Sequence, residues 1–546
     1  MAQLLMSIQQ LRRRHQPSLQ RYSLRLKNES PIGDPLCQLC QSKGIWGHLS
    51  NQKILGPAEW RFGFVVEPED ILRPDRQACP FCSLVFQLLP ETAFAKEHQY
   101  LYNDKDVYCN VRPLAVRVRN EVFTTFLVSY NFREYVSHRQ KVFSNYRGWI
   151  GLDSEARHRL NTPGITPMRL QDTIDVSLVR KWLTRCRKYH PLCDDSQPAL
   201  RQPLSTMMID LRRFCLVKAD TNCTYIALSY VWGQVQSLQA TKANINELAT
   251  PGILQEPHIW SQIPAVIQDC ITLAEALWVP FLWVDCLCIV QDDYMMKHDQ
   301  IASMNDIYSQ SLLTVIPYAG KNANARIPGV LKNTRGVQAP SQQPTDVQHG
   351  RKTDMVVVSL PEWPSLAYDA VHESRAWTLQ EKVLSVRCLY LTHWGMWFQC
   401  LESRFSDVEA GELPLEPKDS NFPSLLRLTP PQWPPAEQSG GWDNSKIDEF
   451  LSYALHVEWY SARKLTDQGD RIDAFRGILN FFQDQCQQNF LWAHPEGSLL
   501  PLSLLWVHVD VGHSRDAKGL PEDGIIAYHD YSPDRDVEYP TWSWMG

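Results

Sequence analysis

The 546-residue chain has no run of 18 or more apolar residues, which argues against a membrane-spanning helix. Its most apolar stretch, 276–290, contains Asp285 and reads as a buried strand. No segment combines an apolar core with a small-residue cleavage site, so none reads as a secretory signal peptide. There is no G-x-S-x-G elbow and no G-x-x-x-x-G-K-[ST] loop, so nucleophile-elbow hydrolases and P-loop nucleotidases have no support. The net charge of -6 is spread along the chain and leaves no nucleic-acid footprint. No internal repeat is visible. Acidic residues are missing from 1–28, which carry Arg12, Arg13, Arg14, Arg21, Arg25 and Lys27. With Leu4, Ile8 and Leu11 on one stripe, that segment reads as a basic tail or as a mitochondrial presequence.

What is present is a globular composition, 44% hydrophobic and 21% charged, in a length that suits two to four domains. Nineteen tryptophans, many in short motifs, read as rigid packing anchors. Fifteen cysteines is an odd number, and Cys270, Cys286 and Cys288 sit in apolar runs. This pattern reads as reduced thiols in an intracellular, cytoplasmic protein.

The chain divides into a basic tail (1–35), a cysteine-bearing region of mixed short elements (36–200) and a regular region (205–400). A Pro-rich linker or loop (401–445, with LTPPQWPPAEQSGG) and a mostly helical C-terminal region (446–546) follow. Within 205–400, TYIALSY (224–230) is rich in β-branched and aromatic residues and predicts a strand. IPAVIQDCITLAEAL (263–277) places Ile263, Val266, Ile267, Cys270, Ala274 and Leu277 on one helical stripe. FLWVDCLCI (281–289) predicts a strand buried on both faces, with Cys286 and Cys288 alternating as inert thiols. A helix over 296–310 brings Ile301, Met304 and Tyr308 together. LLTVIPY (312–318), MVVVSL (355–360) and RCLYLT (387–392) predict strands, 321–354 an insertion loop, and RAWTLQEKVLS (375–385) a helix. Alternating strands and helices predict an α/β fold with a parallel sheet, whose ligands bind beyond the carboxyl ends of the strands. Two such ends are Ser229-Tyr230-Val231-Trp232-Gly233 and the stretch from Asp285 to Gln291.

Two cysteine sets have ligand spacing. Cys37-x2-Cys40 and Cys79-x2-Cys82 offer four thiolates suited to structural zinc, with reduced core cysteines as the other reading. Cys186-x3-His190-x2-Cys193 offers three donors, with Cys109 as a candidate fourth and a packed helix end as the plainer reading.

Four ordered blocks resemble the fungal heterokaryon incompatibility (HET) domain family. They are YIALSYVWG (225–233), LWVDCLCIVQDD (282–293), MNDIYSQSLLTVIPYAG (304–320) and RAWTLQEKVLS, with Cys286, Val290 and Ala376 where Ala, Asn and Gly are usual. WLTRCRKYHPLC (182–193), WYSARKLTDQGDRIDAFRGI (459–478) and PTWSW (540–544) resemble flanking segments of such proteins. The chain stops two residues past the last of these, as a truncated gene model or fragment would. The resemblance implies nonself recognition and regulated cell death, acting through self-association or through other incompatibility proteins. HET domains in turn resemble TIR domains of innate immunity, which have a flavodoxin-like parallel sheet. SRAWTLQE is similar to the TIR helix that carries the catalytic Glu of NAD-cleaving members.

That likeness points to Glu381 as catalytic on an NAD substrate, and to no other carboxylate, with Trp377 one turn earlier as an aromatic wall. Asp285, which closes an apolar strand, reads from its position as a substrate or polar-network contact, or as a structural salt bridge or turn cap. Ser229, Trp232 and Gly233 read as the adjacent substrate loop, or as a turn with a packed Trp. A second reading needs no chemistry: Thr378-x-x-Glu381 fits a capping box. In that case Glu381 turns back to its own helix start and the module signals by association alone.

Overall fold

The computed structural model describes residues 171–193, 205–219, 223–335, 370–408 and 444–504 without a break. It also describes shorter stretches before residue 153, around 355–367 and at 412–414. Most of the basic tail and the PTWSW segment lie outside the described residues.

The N-terminal region holds β1 (Leu24–Leu26), β2 (Phe64–Val66), β3 (Val107–Val118), β4 (Glu121–Val136) and β5 (Arg139–Leu152). These strands join β11 (Met355–Pro361) in an antiparallel six-stranded sheet ordered β1-β11-β5-β4-β3-β2. The sequence reading expected only mixed short elements there. The long meander β3–β5 was legible in EVFTTFLVSYNFREYV, where β-branched and aromatic residues dominate. MVVVSL is a strand as expected, but it leaves the parallel sheet and pairs with β1 and β5.

Helix α1 (Val176–Tyr189) then leads into the second sheet. Its elements are β6 (Thr206–Asp210), β7 (Cys215–Ala219), β8 (Tyr225–Leu228), α2 (Ala265–Ala276), β9 (Phe281–Trp283), α3 (Tyr294–Ala302), α4 (Met304–Gln310) and β10 (Leu313–Pro317). After β11 come α5 (Trp377–Val383), β12 (Arg387–Thr392), β13 (Gly395–Cys400), β14 (Ser403–Ser406) and β15 (Glu412–Pro414). Nine strands form the order β15-β14-β13-β12-β10-β8-β9-β6-β7. The inner four, β9-β8-β10-β12, are parallel, and antiparallel strands extend both edges. Taken in chain order, the parallel strands stand 2-1-3-4 across the sheet. The chain is therefore α/β, as the alternating pattern predicted.

Every residue of β8, β10 and β12 is buried, which is why these strands read as unbroken apolar runs. All six residues of the predicted α2 stripe are buried too. Two expectations need correction. The run 281–289 is not one strand: β9 ends at Trp283, and Asp285–Cys288 form a helical turn that buries Cys286 and Cys288 together. An apolar run cannot separate a strand from a buried turn by periodicity alone. The helix predicted over 296–310 is two helices, α3 and α4, parted at Ser303.

The C-terminal region contributes α6 (Asn444–Ser461) and α7 (Asp473–Cys486). Helix α7 packs against α3, α4 and α5. Close approach to α5 requires Gly477: a Cβ there would lie 2.8 Å from Gln380 Oε1 and 3.0 Å from Leu384 Cδ1. Much of the tryptophan serves packing, as expected. Trp283 and Trp397 are fully buried, and Trp363 stacks on Tyr318 with ring centres 5.6 Å apart. Trp278 differs: it is 78% exposed, with the Arg180 guanidinium 3.6 Å from its ring centre. Among the described residues, no helix is long and apolar enough to cross a membrane.

Candidate functional site at the carboxyl edge of the parallel strands

The backbone N–H of Ser229, just past β8, still donates to the Val315 carbonyl at 3.0 Å. The chain then turns away at Gly233, with φ +66°. A Cβ at Gly233 would sit 2.5 Å from Asn322 Cβ, so both conformation and space demand glycine. Gly233→Ala should therefore cost about 2–4 kcal/mol, read as a lower urea midpoint at unchanged slope. Within this turn, Trp232 Nε1 donates to Asp285 Oδ2 at 2.8 Å. Asp285 opens the helical turn after β9, and its Oδ1 accepts the Cys286 N–H at 2.7 Å. Two neighbouring strand ends are thus tied through one half-buried aspartate.

Glu381 closes the arrangement from α5. Its Oε2 accepts a hydrogen bond from Ser229 Oγ, and Tyr308 of α4 lies beside the same carboxyl, its hydroxyl donating to the Leu228 carbonyl at 3.3 Å. Tyr308 is held in turn against Trp283, ring centres 5.5 Å apart and edge to face. The capping-box reading is overturned. The N-cap of α5 is Ala376, with no side-chain cap bond, and Trp377 lies inside the helix. Thr378 Oγ1 instead donates to the carbonyls of Arg375 (2.9 Å) and His372 (2.5 Å). Freed from the cap, Glu381 reaches across to the strand ends. Trp377 does not join this group: its Nε1 donates to Asp470 Oδ2 at 3.4 Å, toward the C-terminal region.

His372 is a member that sequence reasoning missed. Its Nε2 lies 2.7 Å from Ser229 Oγ, and its ring sits 5.5 Å from that of Tyr318. Its Nδ1 is buried without a hydrogen-bond partner among the described residues. Burial first, then the cations Lys382, Arg463 and Arg375, pull its pKa down to about 3 despite Glu373, so the imidazole is neutral. Burial, and then the facing Asp285 charge, push Glu381 up to about 7. Burial likewise lifts Asp285 to about 6, against the opposing pull of its hydrogen bonds and Arg375. Ser229 therefore links a carboxyl that titrates near neutrality to a neutral imidazole. A hydroxyl in that position can accept from one neighbour and donate to the other, which suits proton relay.

A second buried group braces the first. Glu373 pairs with Lys382 Nζ at 2.6 Å and with Arg463 Nη2, and accepts from the Tyr318 hydroxyl. Although burial opposes ionisation, the two cations hold Glu373 well below the usual carboxylate range. Arg463 Nη1 also donates to the Arg375 carbonyl (3.0 Å) and to Thr378 Oγ1 (3.1 Å). The C-terminal region thus fixes the entry to α5.

Among the described residues, two groups of four donors are arranged so that a metal ion could sit among each. Cys37, Cys40, Cys79 and Cys82 are buried, with their sulfurs within 4.8 Å of one another. Cys186, His190 and Cys193 gather in the same way, and their fourth partner is Cys400 rather than the suggested Cys109. Cys109 is buried in β3 instead. No spacing signal could have shown Cys400, because it comes from a strand far downstream. None of these cysteines is in a disulfide.

No curated protein and no solved structure matches the chain. Residues 225–381 match the family model described as Heterokaryon incompatibility protein (HET). The match opens on the first residue of β8 and ends on Glu381, so it frames the carboxyl-edge group: over those residues the chain carries a heterokaryon incompatibility (HET) domain.

Proposed function

We propose that this HET-domain protein acts in nonself recognition leading to regulated cell death. We further propose that the carboxyl-edge group cleaves the nicotinamide–ribose bond of NAD-type nucleotides, with Glu381 as the catalytic carboxylate. The observation that carries this reading is the path of Glu381, out of its helix to Ser229 and facing Asp285. Two carboxyls with strongly raised pKa at the mouth of a parallel sheet have the character of a functional site. The strand order 2-1-3-4 matches the first four strands of a flavodoxin-like 2-1-3-4-5 sheet and to that extent supports the TIR likeness.

Besides the carboxylate the chemistry asks for a water, which adds to the ribose carbon and gives up a proton as nicotinamide leaves as a neutral base. Breaking the bond builds positive charge on the ribose, which a fixed carboxylate stabilises. The departing pyridine is already cationic in the substrate, so no strong acid is required. A cationic ring entering beside Glu381 would favour its ionised form.

Glu381 is 5% exposed and Ser229 1%, so this conformation is closed and turnover requires it to open; in this reading self-association drives the opening. Protein clustered on a support should release nicotinamide, and Glu381→Ala should stop the release while a thermal melt shows retained folding. Unchanged release from folded Glu381→Ala would sink the assignment. The same burial favours a second reading, a non-catalytic module that recruits its own copies or other incompatibility proteins. That reading expects cell toxicity to survive Glu381→Gln.

We also propose that Cys37, Cys40, Cys79 and Cys82 hold a structural zinc ion. Cys82 Sγ lies 3.7 Å from Cys37 Sγ and 3.6 Å from Cys40 Sγ. Four zinc–sulfur bonds in a tetrahedron imply separations of about 3.8 Å, whereas a disulfide would need about 2 Å. A Cys37→Ser, Cys40→Ser double variant should carry one zinc fewer per chain than the wild type by metal analysis. An equal count in the two proteins would refute this site.

A further inference from the structure

The second donor group joins parts of the chain from either side of residues 225–381. Cys186 lies in the last turn of α1, His190 is its C-cap, and Cys193 closes the 3-10 turn Pro191–Cys193. Pro191 halts the helix and folds the third donor back under the first. Cys400 is the last residue of β13, and α1 packs on that strand.

The surroundings are those of a metal site rather than of a merely packed helix end. His190 Nδ1 stands 3.1 Å from Cys400 Sγ, and the imidazole stacks on Phe405 with ring centres 6.3 Å apart. Two sulfurs accept hydrogen bonds from outside the set: Arg387 Nε donates to Cys186 Sγ at 3.3 Å, and the Ser403 N–H to Cys400 Sγ at 3.4 Å. Such outer partners orient ligands and stabilise thiolates. Arg387 is 1% exposed, and its Nη2 also donates to the Cys193 carbonyl. Three thiolates, a neutral imidazole and a dication sum to one negative charge, which the buried guanidinium balances. Three sulfurs and one imidazole, buried and close enough for tetrahedral coordination, suit zinc over harder cations.

We propose that Cys186, His190, Cys193 and Cys400 bind one zinc ion. The ion clasps the segment before the HET domain to the β13–β14 hairpin after it. A contact beside the site follows the same path, from the Leu192 N–H to Glu402 Oε1 at 2.7 Å. The proposal stands apart from NAD cleavage and from the four-cysteine site.

Full-length protein purified without chelator should hold two zinc ions per chain. Cys400→Ser should hold one, and adding Cys37→Ser and Cys40→Ser should leave none. Because Cys400→Ser can fail by misfolding, the wild type supplies a second readout. Zinc-loaded protein is pulse-alkylated, with and without a high-affinity chelator, and the labelled cysteines are mapped by mass spectrometry. Cys186, Cys193 and Cys400 should react at least tenfold faster once the metal is stripped, with amide exchange rising together in 186–193 and 395–406. Alkylation at these three positions that the chelator leaves unchanged, or a Cys400→Ser zinc count equal to wild type, overturns the proposal.

Discussion

Glu381→Gln should make the fold more stable above pH 7, by about 3 kcal/mol, and change it little near pH 4. Burial, followed by the Asp285 charge, raises this carboxyl from its ordinary 4.5 to about 7. The folded state therefore prefers the protonated form. The stability that proton binding contributes is fully present below about 4.5 and is lost as pH rises through about 7. Glutamine resembles the protonated acid, keeps an oxygen to accept from Ser229, and never ionises. Wild-type and variant melting temperatures should thus lie close together at pH 4, separate between about 4.5 and 7, and stay apart beyond. Asp285 works in the same direction. Raised to about 6, it faces one charge fewer in the variant and ionises at lower pH. A variant less stable than wild type at pH 8 would show that the Glu381 carboxylate is a structural ion held by its partners. A gain in stability coupled to loss of nicotinamide release would be the trade expected of a strained functional group.

The reach of the sequence reading follows the physics of each signal. The parallel strands were legible because burial on both faces leaves unbroken apolar runs, and RCLYLT matches β12 residue for residue. Asp285 was read as a strand end because a charge closing an apolar run suggests a mouth. It does lie at the carboxyl edge, but within a helical turn that the run did not reveal. For Glu381 the local rule and the family likeness pointed opposite ways. Thr378 decided between them by bonding backwards to carbonyls instead of forward to its helix. His372 carries no motif of its own and becomes part of the site only when the 371–374 turn meets the end of β8. Cys400 shows the same limit more sharply: its partners precede it by about two hundred residues, and only sheet formation brings them together.

Arg463→Ala should cost about 3–5 kcal/mol, because it breaks a buried ion pair from one side. The Arg463 side chain is 6% exposed and that of Glu373 16%. Without the guanidinium, Glu373 keeps Lys382 as its one ion-pair partner beside the Tyr318 hydroxyl, and the Arg375 carbonyl loses its charged donor. The pH dependence has a definite sign. In the wild type the depressed Glu373 carboxyl contributes stability that is present above its ordinary 4.5 and lost as pH falls through its lower folded value. With one cation gone the folded pKa rises, so acid unfolding of the variant should begin at higher pH. Arg463→Lys tells charge apart from geometry. Lysine restores a cation for Glu373, but a single ammonium cannot span the carboxylate, the Arg375 carbonyl and Thr378 as the planar fork does. Partial recovery of the urea midpoint is therefore expected, with the acid shift corrected more fully than the stability at pH 7. Full recovery by lysine would show that charge alone holds the start of α5. No loss in Arg463→Ala would show that the backbone bonds between Lys464 and the 374–376 segment suffice to seat α5, and with it Glu381, against the strand ends.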